Sequence, residues 1–443
     1  MSGPPFRCIV MGAAGRDFHD FLSFLRARAQ TFRVVAFTAE QIPFISERSF
    51  PRELAGPAYA EDIPIHDEEE LVRLIREHRI DFVFLSYSDL AHEDVMHRAS
   101  VVQAAGASFA LLGPEHTQLR STLPVLAVTA VRTGAGKSPL SQAIAARLTG
   151  AGRRVGVLRH PMPYGDLRRQ GVQRFATTDD LDRHECTVEE REEYEPYVER
   201  GLVLYAGVDY RAILERAEAE SDVILWDGGN NDVAFVRPDL HLVIVDALRP
   251  GHEVAYYPGE TNLRRADVVV INKVDGATAD ALRTVRRNVA RAAPGADVVE
   301  AALVVTSEDD DAIRGRRVLV VEDGPTTTHG GMPSGAGLLA AERAGATVLD
   351  PRPFAVGTVA DAYRDYPHLG PVLPALGYSE TQRSELAATI RRAEPEVVVD
   401  GSPARLDRLL RLEVPVVRVR YRFAQRAGPD LFATVDAWLA AGG

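Results

Sequence analysis

The chain has 443 residues, 46% hydrophobic and 26% charged, with a formal net charge of −12. That length carries two or three domains with separate cores, and the acidic balance excludes a global basic field for nucleic acid. No apolar run approaches the roughly 20 residues of a membrane helix. The opening MSGPPFRCIVMG lacks both the charged and the apolar region of a signal peptide. Cys8 and Cys186 support neither a disulfide framework nor a cysteine metal site, so the cytoplasm is the expected compartment.

Residues 1–122 read as a first, Rossmann-like α/β domain. RCIVMGAAGRDFHDFLSFL is strand, glycine turn and helix, and RVVAFTA and DFVFLSYSD are further strands, apolar through most of their length. EEELVRLIREH lies between those two as a helix with apolar residues at 71, 74 and 75. Gly12, Gly15 and Arg16 suit a phosphate turn or, equally, a tight packing turn.

Residues 123–312 form the second unit, a phosphate-loop domain with a mostly parallel sheet. VLAVTAVRTGAGKS, from Val125 to Ser138, is an apolar strand that breaks into a glycine-lysine-serine turn before the helix SPLSQAIAARLTG. Backbone amides at Thr133, Gly134, Ala135 and Gly136 are placed to face a β-phosphate, and glycines leave room for it. Lys137 spans the β- and γ-phosphates, while the Ser138 hydroxyl holds Mg²⁺. The common motif wants glycine at 131 and finds Val131, so RTGAGKS resembles the deviant loop of signal-recognition GTPases, MinD-like ATPases and dethiobiotin synthetase. Arg132 then takes the place of the signature lysine, which in such relatives reaches the nucleotide of a partner subunit. That resemblance implies a homodimer.

DVILWD ends an apolar strand on Asp227, where a Walker-B carboxylate reaches Mg²⁺ directly or through water. Asn272, Lys273 and Asp275 make N-K-x-D after another apolar strand. The tetrad reads guanine in GTPases and persists in ATP-using relatives, so ATP is expected with GTP open. After the strand RVGVL comes a block with Arg159, His160, Arg168, Arg169 and Arg174. Arg159, His160 and Arg174 are the expected grip on a small polyanion, with Lys137, Arg132, Arg159 and His160 as catalytic residues. Arg168, Arg169 and the acidic run EEREEYE read as a solvated face.

Residues 313–443 form a third α/β unit. RRVLVVEDGPTTTHGGMPSG is a strand and polar loop, followed by a helix opening near Ser334. His329, with Thr326 to Thr328, Gly330 and Gly331, makes either a second anion nest or a structural loop.

MGAAGRDFH, VRTGAGKS, RHPMPYGDL, QRFAT, EEREEYEP, WDGGNND, YYPGETN, NKVD, VEDGPTTTHGGM and YPHLGPVLPALGY together resemble the cyclic 2,3-diphosphoglycerate synthetase family, over residues 11 to 378. The resemblance implies an ATP-dependent ligase that closes 2,3-diphosphoglycerate into its cyclic pyrophosphate and releases ADP and phosphate. The implied substrate is a small anion, with no nucleic acid and no membrane involved. Two other classes stand beside it. One is a regulatory GTPase or metallochaperone of the same phosphate-loop branch, the other a nucleotide-sensing structural protein.

Overall fold

The computed structural model describes residues 4–13, 15–40, 48–160, 166–229, 231–328, 331–376 and 379–442. The amino-terminal strands are β1 (Phe6–Met11), β2 (Phe32–Ala39), β3 (Ser49–Phe50), β4 (Ile63–Asp67) and β5 (Phe82–Leu85). Then come the short β6 (Leu90–Ala91) and β7 (Ser108–Ala110). They build a sheet in the order β3-β4-β2-β1-β5-β7, parallel except where β3 meets β4. Its apolar runs are buried on both faces, as Cys8, Ile9, Val10 and Met11 show, and the helix Leu71–His78 covers one face with Leu71, Leu74 and Ile75.

The central strands are β8 (Val125–Ala130), β9 (Val155–Arg159), β10 (Gln173–Phe175), β11 (Val203–Ala206) and β12 (Val223–Asp227). They continue as β13 (Leu240–Asp246), β14 (Tyr256–Tyr257), β15 (Val268–Asn272) and β16 (Asp297–Ser307). The remaining strands are β17 (Arg317–Glu322), β18 (Thr347–Val348), β19 (Leu373–Pro374), β20 (Val397–Asp400) and β21 (Val416–Ala427). Apart from β14, all of them join one sheet, β10-β11-β9-β12-β8-β13-β15-β16-β21-β20-β17-β18, with β19 beside β17.

The seam of that sheet is β21. Its first residues pair with β20 in parallel, and from Val419 onward it pairs with β16 antiparallel, so the carboxyl-terminal strands extend the phosphate-loop sheet. The fold is therefore mixed α/β with large, mostly parallel sheets. The amino-terminal sheet is separate from it. β14 and β6 pair antiparallel in a two-stranded ladder that belongs to neither large sheet.

One sequence expectation fails on burial. EEREEYE lies in the helix Val188–Val198, where Glu190, Glu192, Tyr194, Glu195 and Tyr197 are buried. Thr187 caps that helix, and Glu190 returns the capping hydrogen bond. Charge composition concealed a helical face carrying Tyr194, Tyr197 and Val198 into the core.

Candidate active site

The phosphate loop lies between β8, buried throughout, and the helix Lys137–Gly150, whose face of Leu140, Ile144, Ala145 and Leu148 packs into the core. Gly134 and Gly136 take φ of 75° and 99°, values that disfavour a side chain. A Cβ at Gly136 would also overlap Asn272 Nδ2. No side chain caps the helix at Gly136, so its first amides stay available to an anion.

The loop is held from behind. Asn272 Nδ2 donates to Ala135 O (2.9 Å), Lys273 Nζ to Gly134 O (2.6 Å) and Arg249 Nη2 to Thr133 O (2.7 Å). Lys273 and Arg249 in turn share Asp246, at 2.9 Å each. Asn272 and Lys273 thus orient the loop by taking its carbonyls, while one loop amide, Ala135 N, donates to Arg132 O (3.3 Å). Asp275 points elsewhere: its carboxylate is gripped by Arg426 of β21 on the exposed side (2.7 Å).

Asp227 is fully buried at the end of β12. Lys137 Nζ (2.6 Å) and Ser141 Oγ (2.7 Å) donate to its Oδ1, while Arg159 and Tyr197 donate to Oδ2. Burial alone would raise this carboxyl, but Arg159 and then Lys137 hold it down at about 2. Lys137 is brought down to about 8 by burial and by Arg159, against the pull of Asp227. Arg159 also pairs with Glu193. Both Asp227 oxygens are engaged, so it presents none directly to a metal in this conformation. Ser138, at the head of the helix and facing the cavity, is the residue whose position fits Mg²⁺. Among the described residues no cluster of three His, Cys, Asp or Glu could hold a metal.

The amino-terminal domain reaches the loop through Ser88 and Asp89. Asp89 accepts from Arg132 Nε (2.5 Å) and from Asn231 Nδ2 (2.8 Å), and Ser88 donates to Asp232. Arg132 also meets His252 Nδ1 (2.7 Å) and stacks 3.7 Å over Tyr256. His160 pairs with Asp232 behind Gly229 and does not line the cavity described next. Arg16, buried, bonds Tyr257 (2.9 Å) and faces Asp20 (3.6 Å). Asp209 caps the helix Tyr210–Glu220.

The loop opens into a cavity of about 910 Å³ that runs to the carboxyl ends of β17 and β20. Basic and acidic side chains line it in equal number, seven of each. Arg174 is not among them; it bonds Glu220 at the sheet edge (2.7 Å). His329 lies outside the described residues. Near it, Thr327 and Thr328 donate to backbone carbonyls of their own turn, at 2.7 Å and 2.8 Å. Sequence reasoning missed Glu192 and Glu193 on this wall, and Glu322 opposite. The Thr187–Glu190 capping box was the one available signal, because it marks a helix start and hence a buried face.

Glu322 ends β17, and its carboxylate accepts from Leu338 N (2.8 Å) and Gly337 N (3.3 Å) at the start of the helix Ala336–Arg343. A Cβ at Gly335 or Gly401 would overlap that carboxylate. Burial pushes Glu322 up to about 7 against these amides.

No family model matches the chain. The arginine synthetase ArcE of Thermococcus kodakarensis is 54% identical to it over 433 residues, 98% of this chain and 96% of that one. The chain belongs to that family. A tetraacyldisaccharide 4′-kinase of an Anaeromyxobacter species (strain K) is 33% identical over 221 residues, spanning 45% of this chain and 56% of the kinase. Among solved structures, LpxK of Aquifex aeolicus with ATP aligns over 79% of this chain and 95% of its own. The identity there is 11% and the TM-score 0.41. Family membership supports an enzyme of synthetase type. None of these relatives bears the name cyclic 2,3-diphosphoglycerate synthetase; what they support of the sequence resemblance is the coarser statement, an ATP-using enzyme of synthetase type. Among the described residues no helix is long and apolar enough to cross a membrane.

Proposed function

We propose that the chain is an ATP-dependent synthetase that forms arginine by activating an oxygen of the precursor with the γ-phosphoryl group. The observation that carries this reading is Glu322. The second helix amino terminus facing the cavity is filled by the chain's own carboxylate, so those amides are closed to a second anion and a negative group stands there instead. Arg159 and Lys137, paired with Asp227 and Glu193, serve the nucleotide end of the cavity. The other end offers a carboxylate and an arginine together, which suits a zwitterionic amino acid better than a second phosphate.

The chemistry follows from the product. An oxygen must leave where nitrogen enters, and the ureido analogue of arginine offers one. Its C=O oxygen takes the phosphoryl group, ammonia adds to the same carbon, and phosphate departs with the oxygen, leaving ADP, phosphate and a guanidinium group. The loop amides from Thr133 to Gly136 and Lys137 bind the β- and γ-phosphates, and Lys137 leaves Asp227 to do so. Arg159, fixed by Asp227 and Glu193, supplies a stationary positive charge for the transferred group. Glu192 and Glu193 accept N–H groups of the reacting carbon's nitrogens. Ser138 and, once Lys137 has moved, Asp227 are the residues that would hold Mg²⁺, which would neutralise phosphate charge. Asp275, held by Arg426, favours ATP over GTP because guanine reading needs that carboxylate.

Cyclisation of 2,3-diphosphoglycerate is the second reading, favoured by Arg418 and Arg420 at the far end of the cavity. Phosphorus NMR separates the two. With Mg²⁺ and ATP, stoichiometric ADP and phosphate are expected from L-citrulline plus ammonium and not from 2,3-diphosphoglycerate. A cyclic pyrophosphate signal with the latter reverses the assignment.

A further inference from the structure

The carboxyl-terminal part of the sheet has a topological switch point of its own. The chain leaving β17 returns as β18 on one side, and the chain leaving β20 returns as β21 on the other. Between the carboxyl ends of β17 and β20 lies a crevice, where open α/β sheets take ligands. Glu322 and Gly401 form its floor, and it opens into the same cavity as the phosphate loop.

Two arginines of β21 overlook this crevice. Arg420 Nη1 donates to Asp400 O (3.1 Å) and Val419 O (2.8 Å). Its Nη2 is buried and has no hydrogen-bond partner among the described residues; the same holds for Arg418 Nε, although the Nη atoms of Arg418 pair with Glu199 (3.3 Å). An unmatched guanidinium nitrogen inside a cavity is costly unless a ligand meets it. Opposite stands Glu322, whose carboxylate blocks the helix amides to a second anion and offers negative charge instead. Arg420 lies next to Asp400, and the same cavity holds the buried carboxylate of Glu322; an arginine donor and a carboxylate in one cavity are what an α-amino acid head requires, one group for its carboxylate and one for its ammonium.

We propose that this crevice is the acceptor site for the α-amino acid head, with Arg420 Nη2 gripping the α-carboxylate and Glu322 the α-ammonium. The side chain then runs along the cavity towards Arg159 and the phosphate loop. The assignment rests on the arginine-forming reading and adds where the acceptor lies and what selects it.

Calorimetric titration of the full chain with L-arginine and with agmatine, which lacks the carboxylate, tests it. Wild type is expected to bind L-arginine at least tenfold more tightly than agmatine. Arg420→Ala should bring that ratio near one while leaving agmatine affinity unchanged, which also shows that the variant is folded; Arg420→Lys should keep part of the preference. An Arg420→Ala protein that retains the full preference overturns the site. Equal binding of both ligands by wild type overturns the carboxylate grip and leaves the arginine reading standing. Wild type that binds neither ligand overturns both.

Discussion

Two helix amino termini face the same cavity and are built in opposite ways. At the phosphate loop the helix Lys137–Gly150 begins after an uncapped Gly136, and Asn272, Lys273 and Arg249 draw the loop carbonyls back so that amides face outward. At the other end, the amides of Gly337 and Leu338 are already taken by Glu322, seated among Gly335, Gly337 and Gly401. On the arginine-forming proposal, the same backbone dipole serves phosphate in one place and, filled by a carboxylate, positive charge in the other. A helix terminus predicts an anion site only when nothing in the chain occupies it.

The sharpest way to break the phosphate end is Lys137→Ala. Turnover should fall by about a hundred- to a thousandfold in kcat, measured as phosphate release, and unchanged turnover would remove Lys137 from the reaction. Asp227→Ala acts on stability as well. It leaves Lys137 without its carboxylate and Arg159 with Glu193 alone, and removing one partner of a buried pair costs about 3–5 kcal/mol. The lower end applies because Lys137, already near 8, can shed its proton. Urea denaturation should show a lower midpoint with an unchanged slope. Gly136→Ala introduces a Cβ at a φ of 99° and against Asn272. Nucleotide affinity should drop at least tenfold by calorimetry, with arginine affinity little changed.

The cation end responds to pH. Glu322 sits near 7 in the free protein, so it is charged above that value and neutral below it. Affinity for an α-ammonium ligand should therefore rise as the pH climbs through about 7, until the ligand's own ammonium deprotonates, and Glu322→Gln should flatten the rise. Asp323 lies beside Glu322, and Tyr421, pushed up by burial, stays neutral over this range. Asp400, raised by burial to about 6, faces Arg420 and titrates at lower pH. The smallest effect belongs to Asp275→Asn. Its carboxylate pairs with Arg426 on the exposed side, so the ratio of ATP to GTP turnover should move less than about twofold, as for a surface ion pair.

The two ends also differ in how far their sequence reveals them. Residues 125–138 carry strand, turn and helix contiguously, so local composition was enough to find the phosphate site, and Arg159 follows as the end of the neighbouring strand β9. The cation end is assembled over distance. Glu322 meets amides some fifteen residues on and Gly401 nearly eighty residues on, and Arg420 arrives through the pairing of β21 with β16 and β20. No short motif encodes that crossing. The N-K-V-D tetrad is readable as a string, yet its carboxylate is claimed by Arg426, 151 residues away. The helix Val188–Val198 was misjudged because its acids outnumber its apolar residues, although Tyr194 and Tyr197 anchor it in the core.

The most direct measurement is a calorimetric comparison of wild type and Glu322→Ala, each titrated with L-arginine and with 2,3-diphosphoglycerate. Wild type should bind L-arginine and not the bisphosphate, and Glu322→Ala should lose arginine and gain affinity for the anion as the helix amides come free. Wild type that binds 2,3-diphosphoglycerate more tightly than L-arginine would contradict the polarity assigned to the cavity.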